Sequence, residues 1–370
     1  MLDIINPATG AVIEKVATDN ASSIAAKFKN AREGQPGWAR ISIHERCKII
    51  GRFRDALKRD VDVLAAALTE EMGKPITQAR GEVLATPGRV DFFIENVVEI
   101  LAPELVGQAS ATREIIEREP LGVIANISAW NYPYFVGTNV FIPALLAGNA
   151  VLYKPSEHAT RTGLHIARLL WEAGVPAEVF QPILGGGDVV DRLLDEAVDG
   201  VFFTGSYETG KKIAEKVAPR MIPVQLELGG KDPVYVCDDV DPKTAARSVA
   251  DGAFYNTGQS CCAVERVYVH SAILEPFVEA LVDYVRTFEV GDPMRDDVFI
   301  GPLARREQMA VLEYQVADAV QKGADLLTGG KTIGGKGHFF QPTVMTGVDH
   351  TMTVMTEETF GPVIGVQEVS

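Results

Sequence analysis

The chain has 370 residues, of which 46% are hydrophobic and 23% charged, an ordinary composition for a folded protein of two or three domains. Lys and Arg number 35 against 50 Asp and Glu, and the resulting net charge of −15 argues against general binding to nucleic acid or to anionic membranes. The cysteines form no CxxC pair and the histidines show no ligand spacing, so we expect no metal site and favour thiol chemistry in a reducing compartment.

The first hundred residues mostly predict helices, at about 21–34, 62–72 and 77–100. Ser42 and Glu45 have the spacing of a capping box, ahead of a helical stripe formed by Ile49, Ile50, Phe53 and Leu57. The N-terminus lacks a basic region followed by an apolar core, so no signal peptide is expected and the cytoplasm is the predicted location.

The run Arg113–Glu119 alternates charges with Ile115 and Ile116. Such a ribbon makes a poor core strand. It favours an exposed edge, or an arm that packs on another subunit.

From Leu121 the pattern alternates between strands and helices. Strands are predicted at 121–128, 150–153, 179–184, 200–203 and 224–228, with helices at 137–147, 160–173, 189–196 and 208–218. Short crossovers of this kind indicate right-handed βαβ units on a parallel sheet. The uncharged stretch from Pro120 to Tyr153 is interrupted by Pro133 and Pro143, which favours buried strands and a helix over a membrane span.

A second α/β unit is predicted after Gly230. Its strands are expected near 233–237 and 266–270, and its helices near 242–256, 273–287 and 305–322. The chain ends in a strand pattern from Pro362 to Val369, so we expect this domain to be incomplete at its C-terminal side.

The segment Phe203–Gly210 follows a predicted strand and opens a helix, which is the position of a phosphate-binding turn. Gly205, Gly210 and Lys211 resemble the start of a nucleotide-phosphate loop, but Lys212 stands where a hydroxyl must hold Mg²⁺. A dinucleotide turn of unusual spacing and a tight turn without any ligand both remain open.

Three further segments are candidates for chemistry. Lys154 and Glu157 follow a strand end, where they could hold two ribose hydroxyls or form a surface charge pair. Cys261 follows a glycine-containing turn able to aim a nucleophile, whereas Cys47, Cys237 and Cys262 are expected to be small buried apolar residues. Glu227 stands between two leucines, which predicts a raised pKa suited to a general base, or else a pair with Lys231 or an arginine.

Six motifs follow one another along the chain: Trp130–Pro133, Lys154–Glu157, Phe203–Ser206 with Gly210, Glu227–Lys231, Asn256–Cys261 with Arg266, and Glu357–Pro362. Taken in this order, they resemble the NAD(P)-dependent aldehyde dehydrogenase superfamily. The likeness runs from Asn6 to the last residue.

The resemblance implies roles for individual residues. Cys261 matches the nucleophile, Glu227 the general base, and Asn131 the side-chain donor of the oxyanion hole. The cofactor-binding positions are Trp130, Lys154, Ser156, Glu157, Gly205, Ser206, Glu358 and Phe360. Among these, Lys154 and Glu157 match ligands of the adenosine ribose. Gly205 and Ser206 match the turn beside a loosely held pyrophosphate. Glu358 matches the ligand of the nicotinamide ribose, and Phe360 matches the residue that packs beside the nicotinamide ring.

The implied fold is α/β: a Rossmann-like cofactor domain (1–104 and 120–229), an oligomerisation arm (105–119) and an α/β catalytic domain (230–370). The implied reaction oxidises a small-molecule aldehyde to a carboxylic acid through a cysteine thioester. NAD is the preferred cofactor, because a carboxylate at Glu157 repels a 2′-phosphate, and NADP is possible. A homodimer or homotetramer is expected of a complete chain. The alternatives are a non-catalytic truncated paralogue and a coenzyme A-acylating relative.

Overall fold

The computed structural model describes residues Met1–Ser370 and divides into two compact units. Unit 1 comprises Met1–Leu2, Lys15–Ala65 and Arg80–Leu228. Unit 2 comprises Asp3–Glu14, Ala66–Ala79 and Gly229–Ser370.

The helices lie mostly where the sequence predicts them. They are α1 (Ala21–Arg40), α2 (Ile43–Arg59), α3 (Val61–Met72), α4 (Ile76–Ile100), α5 (Pro133–Leu146), α6 (Thr160–Ala173), α7 (Gly187–Leu193), α8 (Tyr207–Val217), α9 (Pro242–Phe254), α10 (Leu274–Val285), α11 (Glu307–Gln321) and α12 (Thr353–Thr356). None of them combines the length and the apolar character that a membrane crossing requires.

The strands form two five-stranded sheets and three two-stranded ribbons. They are β1 (Leu2–Ile5), β2 (Val12–Val16), β3 (Glu104–Ala109), β4 (Thr112–Ile116), β5 (Val123–Ile127), β6 (Ala150–Lys154), β7 (Phe180–Pro182), β8 (Gly200–Thr204), β9 (Val224–Glu227), β10 (Asp232–Val236), β11 (Val264–His270), β12 (Asp325–Thr328), β13 (Thr332–Ile333), β14 (Phe339–Phe340), β15 (Thr343–Thr346) and β16 (Val363–Val369).

The sheet of unit 1 has the order β7-β6-β5-β8-β9, and all of its pairs are parallel. The central strands β5 and β6 are buried at every position. This burial explains the uncharged stretch from 120 to 153, because a parallel strand covered on both faces needs a continuous apolar run. The chain moves outward from β5 in one direction and returns to start β8 on its other side, so a topological switch point lies between β5 and β8.

The sheet of unit 2 has the order β10-β11-β16-β15-β12, parallel except for the antiparallel edge pair of β12 with β15. The final strand β16 is paired on both sides. Helices α9 and α10 contribute Phe254, Phe277 and Leu281 to the hydrophobic core of unit 2. The predicted α/β class with parallel sheets is confirmed.

The charged ribbon forms a hairpin in which β3 pairs antiparallel with β4. Leu105, Val106, Ile115 and Ile116 are each between 44% and 51% exposed. The hairpin therefore presents apolar side chains to solvent, which is unusual for a strand pair unless another surface covers it.

The unit boundary lies near the predicted one, between Leu228 and Gly229, but two early segments depart from the predicted domain limits. Residues 3–14 and 66–79 pack in unit 2, whereas the sequence assigned them to the cofactor domain. The Pro7 carbonyl accepts the His338 N–H at 2.9 Å, and the Pro293 carbonyl accepts the Ile76 N–H at 2.8 Å. Sequence proximity did not reveal these contacts, since their partners lie over 200 residues away.

The capping prediction at Ser42 is half correct. The Ser42 hydroxyl accepts the Glu45 N–H at 3.3 Å, but the Glu45 carboxylate pairs with Lys48 at 3.0 Å. A complete capping box occurs instead at Asn20 and Ser23, at the start of α1.

Helix α5 begins four residues earlier than predicted, because its first N–H groups find a partner in α4. The Glu82 carboxylate accepts the N–H of Tyr134 at 2.9 Å and that of Phe135 at 3.3 Å. Pro133 at the first turn has no N–H to satisfy. Glu82 thus caps α5 from another helix and fixes the chain directly after Asn131.

Replacing Glu82 by Ala should lower the free energy of unfolding by about 1–3 kcal/mol, because one buried and one partly buried N–H group lose a charged acceptor. Urea unfolding followed by circular dichroism measures this. The matched control is Glu45→Ala, whose exposed pair with Lys48 should contribute less than about 1 kcal/mol. Equal, small effects of both substitutions would contradict the capping role.

Candidate active site

The turn before Cys261 has an unusual backbone. Asn256 and Thr257 adopt left-handed conformations, with φ of 54° and 59°, and Gly258 follows at 72°. Left-handed Thr is costly because its side chain is β-branched, and such residues persist only where surrounding contacts determine them. A Cβ at Gly258 would lie 2.2 Å from the Gly361 carbonyl oxygen, so only glycine fits there.

Hydrogen bonds within unit 2 hold this turn. Gln78 Oε1 accepts the Asn256 N–H at 2.7 Å, and the Thr257 hydroxyl accepts the Gly301 N–H at 3.1 Å. Gln259 Oε1 accepts the Ala304 N–H at 2.9 Å. The turn is buried and tied to two other segments, α4 at Gln78 and the loop 301–304, so Cys261 is presented from a rigid support.

Cys261 itself is exposed to solvent, as the predicted role of nucleophile requires. Partial burial of the thiol raises the pKa of Cys261, and Cys262 and Glu358 act in the same direction. The neighbouring Cys262 Sγ lies 3.2 Å from the Ser260 hydroxyl oxygen.

The expectation that the other three cysteines are buried is wrong. Cys237 and Cys262 are exposed, and Cys47 is half-buried. Cys237 stands directly after β10, where the chain leaves the sheet, and Cys262 shares the exposed end of the Cys261 turn. All four are free thiols.

Glu358 is half-buried and lies against the backbone of Gly229 and Gly230. Its Oε1 accepts the Gly230 N–H at 3.2 Å, and a Cβ at Gly229 would lie 2.3 Å from Oε2. Burial raises the pKa of Glu358, and Glu265 and Asp232 act in the same direction, against the lowering effect of Gly230 and Lys231. The glycine pair thus makes room for this carboxylate.

Sequence reasoning missed Glu265, a buried carboxylate on β11. Its oxygens accept the N–H groups of Thr359 and Phe360, and Lys231 forms an ion pair with it at 2.8 Å. The available signal was a charged residue at one of the alternating buried positions of an otherwise apolar strand.

Lys154 and Glu157 lie together in unit 1, at the carboxyl end of β6. Lys154 is 3% exposed, donates to the Pro155 carbonyl at 2.7 Å, and lies 3.5 Å from Glu157 Oε2. The Ser156 hydroxyl is 3.3 Å from the same carboxylate oxygen. The alternative of an exposed surface pair is wrong for Lys154, whose ammonium is almost fully buried.

Burial and charge act in opposite directions on this pair. Burial lowers the pKa of Lys154, and Glu157 and Asp188 oppose that shift. Burial alone would raise the pKa of Glu157, but Lys154, a backbone hydrogen bond and His158 together lower it. The Glu157 carboxylate is therefore a ready acceptor at neutral pH.

Gly205 and Ser206 connect β8 to α8, as predicted. The Gly205 N–H donates to the Glu227 carbonyl at 3.0 Å, and Ser206 caps the helix through the Thr209 N–H. A Cβ at Gly205 would lie 2.5 Å from the Phe203 ring, so packing alone already requires this glycine.

Trp130 and Asn131 follow β5, on the other side of the switch point from Gly205. Asn131 is 4% exposed. The Trp130 ring meets the ring of His158 edge-on, with centroids 6.2 Å apart.

Glu227 departs from its predicted surroundings. It ends the edge strand β9 and is exposed, with Gln225 Nε2 donating to its carboxylate at 3.1 Å. An edge strand has one neighbour only, so its flanking leucines do not enclose it. The alternative partner, Lys231, is instead paired with Glu265.

The structure therefore gathers the candidates into one group in each unit. In unit 1, Trp130, Asn131, Lys154, Ser156, Glu157, Gly205, Ser206 and Glu227 all follow or end sheet strands at their carboxyl ends. In unit 2, Cys261, Glu358 and Phe360 share a neighbourhood with Lys231 and Glu265.

Known proteins share the sequence pattern and the fold across the whole chain. The aldehyde dehydrogenase family matches residues 1–370. Lactaldehyde dehydrogenase of Escherichia coli strain K12 is 34% identical over 368 residues, which cover 99% of this chain and 77% of the relative. Succinate-semialdehyde dehydrogenase, NADP(+), of the same strain is 34% identical over 363 residues, which cover 98% and 75%.

A solved structure agrees with these sequence matches. The crystal structure of lactaldehyde dehydrogenase from Escherichia coli superposes with a TM-score of 0.95 at 34% identity, covering 100% of this chain and 78% of that chain. The chain belongs to the aldehyde dehydrogenase family. The resemblance, the fold and the enzyme class of an aldehyde-oxidising oxidoreductase are thereby confirmed.

We expect alkylation of Cys261 by iodoacetamide to keep accelerating as pH rises through the ordinary thiol range, because the thiolate reacts and the pKa of Cys261 is raised. Glu358→Gln removes a nearby negative charge and should shift this profile to lower pH. Peptide mass spectrometry follows the modification site by site, and Glu357→Gln is the control. A plateau below about pH 8.5, the ordinary thiol value, would contradict the raised pKa.

Proposed function

We propose that this chain oxidises an aldehyde to a carboxylic acid with NAD(P), through a thioester on Cys261. The observation that carries the proposal is the exposed thiol of Cys261 on a strained, buried turn, a support that holds a nucleophile in one orientation. Family membership supports the enzyme class, and the residue roles below are our assignments.

The Cys261 thiolate attacks the aldehyde carbon, and a C–S bond forms as the carbonyl oxygen becomes an oxyanion. We assign stabilisation of that oxyanion to the Asn131 side chain and the Cys261 N–H. One such donor contributes roughly 3–4 kcal/mol to transition-state stabilisation. The raised pKa of Cys261 means that a proton acceptor, or a higher pH, is needed to generate the thiolate.

The residues of unit 1 fit a dinucleotide. An ionised Glu157 and the buried Lys154 together offer an acceptor and a donor to a ribose diol, at the carboxyl edge of a parallel sheet beside its switch point. The Gly205–Ser206 turn and the N-terminus of α8 suit a phosphate, although Glu208 in the first turn weakens that attraction. We assign the nicotinamide ribose to Glu358 and the adjoining ring to Phe360. Bound there, oxidised NAD(P) would supply the hydride acceptor. As the oxyanion on the Cys261 adduct reforms its carbonyl, the C–H bond breaks, the hydride leaves and a thioester remains on Cys261.

We propose NAD as the preferred cofactor, because the Glu157 carboxylate repels a 2′-phosphate. The succinate-semialdehyde relative carries NADP(+) in its name, and Lys154 offers a positive partner for a phosphate, so NADP use is equally compatible with family membership. The ratio of kcat/KM for the two cofactors decides between them.

Glu227 takes the remaining chemical role. As a general base it removes a proton from water, the resulting hydroxide attacks the thioester carbonyl, and the Cys261 sulfur leaves as the acid is released. Its exposure at the end of β9 gives water direct access to the carboxylate.

We also propose that the β3–β4 hairpin is an oligomerisation arm in a homodimer or homotetramer. Its exposed Leu105, Val106, Ile115 and Ile116 support this role. The predicted cytoplasmic location remains a prediction.

Cys261→Ser should reduce aldehyde-dependent NADH formation by at least about 10³-fold, because the hydroxyl is a far weaker nucleophile than a thiolate. Cys262→Ser, the matched control one residue away, should keep most of the activity. Absorbance at the NADH band measures both. Loss of activity in the folded Cys262 variant alone would move the nucleophile to Cys262.

Glu227→Gln should separate the two halves of the reaction. Hydride transfer does not need the base, so a single burst of NADH should survive, while hydrolysis slows by about 10²–10⁴-fold. The thioester should then appear as a mass increase on the peptide containing Cys261, measured after rapid mixing.

If Glu227 also helps to deprotonate Cys261, the burst itself should slow and recover at higher pH. Full steady-state turnover of Glu227→Gln would remove Glu227 from the mechanism. Formation of an acyl-CoA on adding coenzyme A would favour the acylating alternative.

A further inference from the structure

The segment 357–360, which carries Glu358 and Phe360, is held by a carboxylate from another strand. Glu265 Oε2 accepts the Thr359 N–H and Oε1 accepts the Phe360 N–H, both at 2.9 Å. With one N–H on each oxygen, the carboxylate fixes two successive peptide planes. These peptides directly follow Glu358.

Glu265 is itself tied to Lys231. The Lys231 ammonium lies 2.8 Å from Glu265 Oε2 and donates to the Thr359 hydroxyl at 2.7 Å. Glu265 is 4% exposed and Thr359 is fully buried. A buried carboxylate is stable only when it is paired and hydrogen-bonded, and Glu265 has an ammonium and two amides.

Helix α11 holds the same segment from its carbonyl side. Gln308 Nε2 donates to the Thr359 carbonyl at 2.6 Å, and Gln315 Nε2 lies 3.3 Å from the Glu358 carbonyl. The backbone on both sides of Glu358 is therefore restrained by side chains that do not belong to the segment.

The restraint is needed because Phe360 adopts a left-handed conformation, with φ of 47°. A bulky residue does not remain in that region without support from its surroundings. Glu265 supplies support at the Phe360 N–H, and it does so from β11, which is paired on both sides with β10 and β16.

We infer that Glu265 is a positioning residue for the nicotinamide half of the cofactor. By holding the Thr359 and Phe360 amides, it sets the orientation of the Glu358 carboxylate and the Phe360 ring. This inference rests on the proposed function, in which those two side chains contact that half. Glu265 itself touches neither cofactor nor substrate in this assignment.

The test is binding of two ligands to the purified chain, without turnover. NADH has both halves of the cofactor and is followed by its nicotinamide fluorescence, whereas ADP has the adenosine half alone and is followed by calorimetry. In Glu265→Gln the amide accepts one N–H and presents its NH₂ group to the other. We expect the Kd for NADH to rise about tenfold while the Kd for ADP stays unchanged.

The matched control is Glu357→Gln, which makes the same chemical change at an exposed side chain one residue from Glu358. It should leave both dissociation constants unchanged. Because Glu265→Gln leaves Lys231 without its ionic partner and could fail to fold, Glu265→Asp provides a second variant. It keeps the charge but shortens the reach, and it should show the same pattern with a smaller rise for NADH.

The binding data distinguish failure of the positioning role from failure of the proposed function. Unchanged NADH binding in folded Glu265 variants, or an equal loss for NADH and ADP, would overturn the positioning role. If the unsubstituted chain bound neither ligand, the proposed function would fail, and this inference would fail with it.

Discussion

A charge removed from water needs a partner of opposite charge, and each unit of this protein holds one such pair among its candidate functional residues. In unit 1 the buried ammonium of Lys154 lies beside Glu157, and in unit 2 the Lys231 ammonium lies beside Glu265. In both pairs burial lowers the pKa of the lysine and the glutamate opposes the shift. The two pairs differ in whether the glutamate carboxylate still has an oxygen available to a ligand. Glu157 keeps an accessible carboxylate for a ligand, whereas both oxygens of Glu265 are used by the protein's own backbone.

Much of the fold could be predicted because local patterns and tertiary burial agree. The uncharged run that becomes β5, α5 and β6 is apolar throughout, and a strand in the middle of a parallel sheet requires this. Helix boundaries were less predictable wherever a distant residue supplies the cap. Glu82 extends α5 back to Pro133, and no residue near Pro133 in the sequence indicates this distant cap. The contact units differ from the predicted domain limits at residues 3–14 and 66–79 for the same reason, because the partners of these segments lie far away in sequence.

The positions of Cys261 after a tight turn and of Lys154 at a strand end could be predicted, because order along the chain carries that signal. The environment of a candidate residue could not be predicted where distant elements determine its burial. Glu227 was expected between enclosing leucines, but an edge strand leaves its side chain in solvent. Glu265 belongs to no recognisable sequence motif, and its role is indicated only by the backbone N–H groups that it accepts.

The close approach of Gly258 to the Gly361 carbonyl links the nucleophile turn to the segment that ends in Phe360. Both surfaces in this contact are main chain, so no side chain lies between them to absorb a displacement. A shift of one segment must therefore be followed by a shift of the other. Replacing a residue at the contact cannot change the position of one segment alone. A change that displaces the main chain at one of these two segments is therefore expected to displace the other as well.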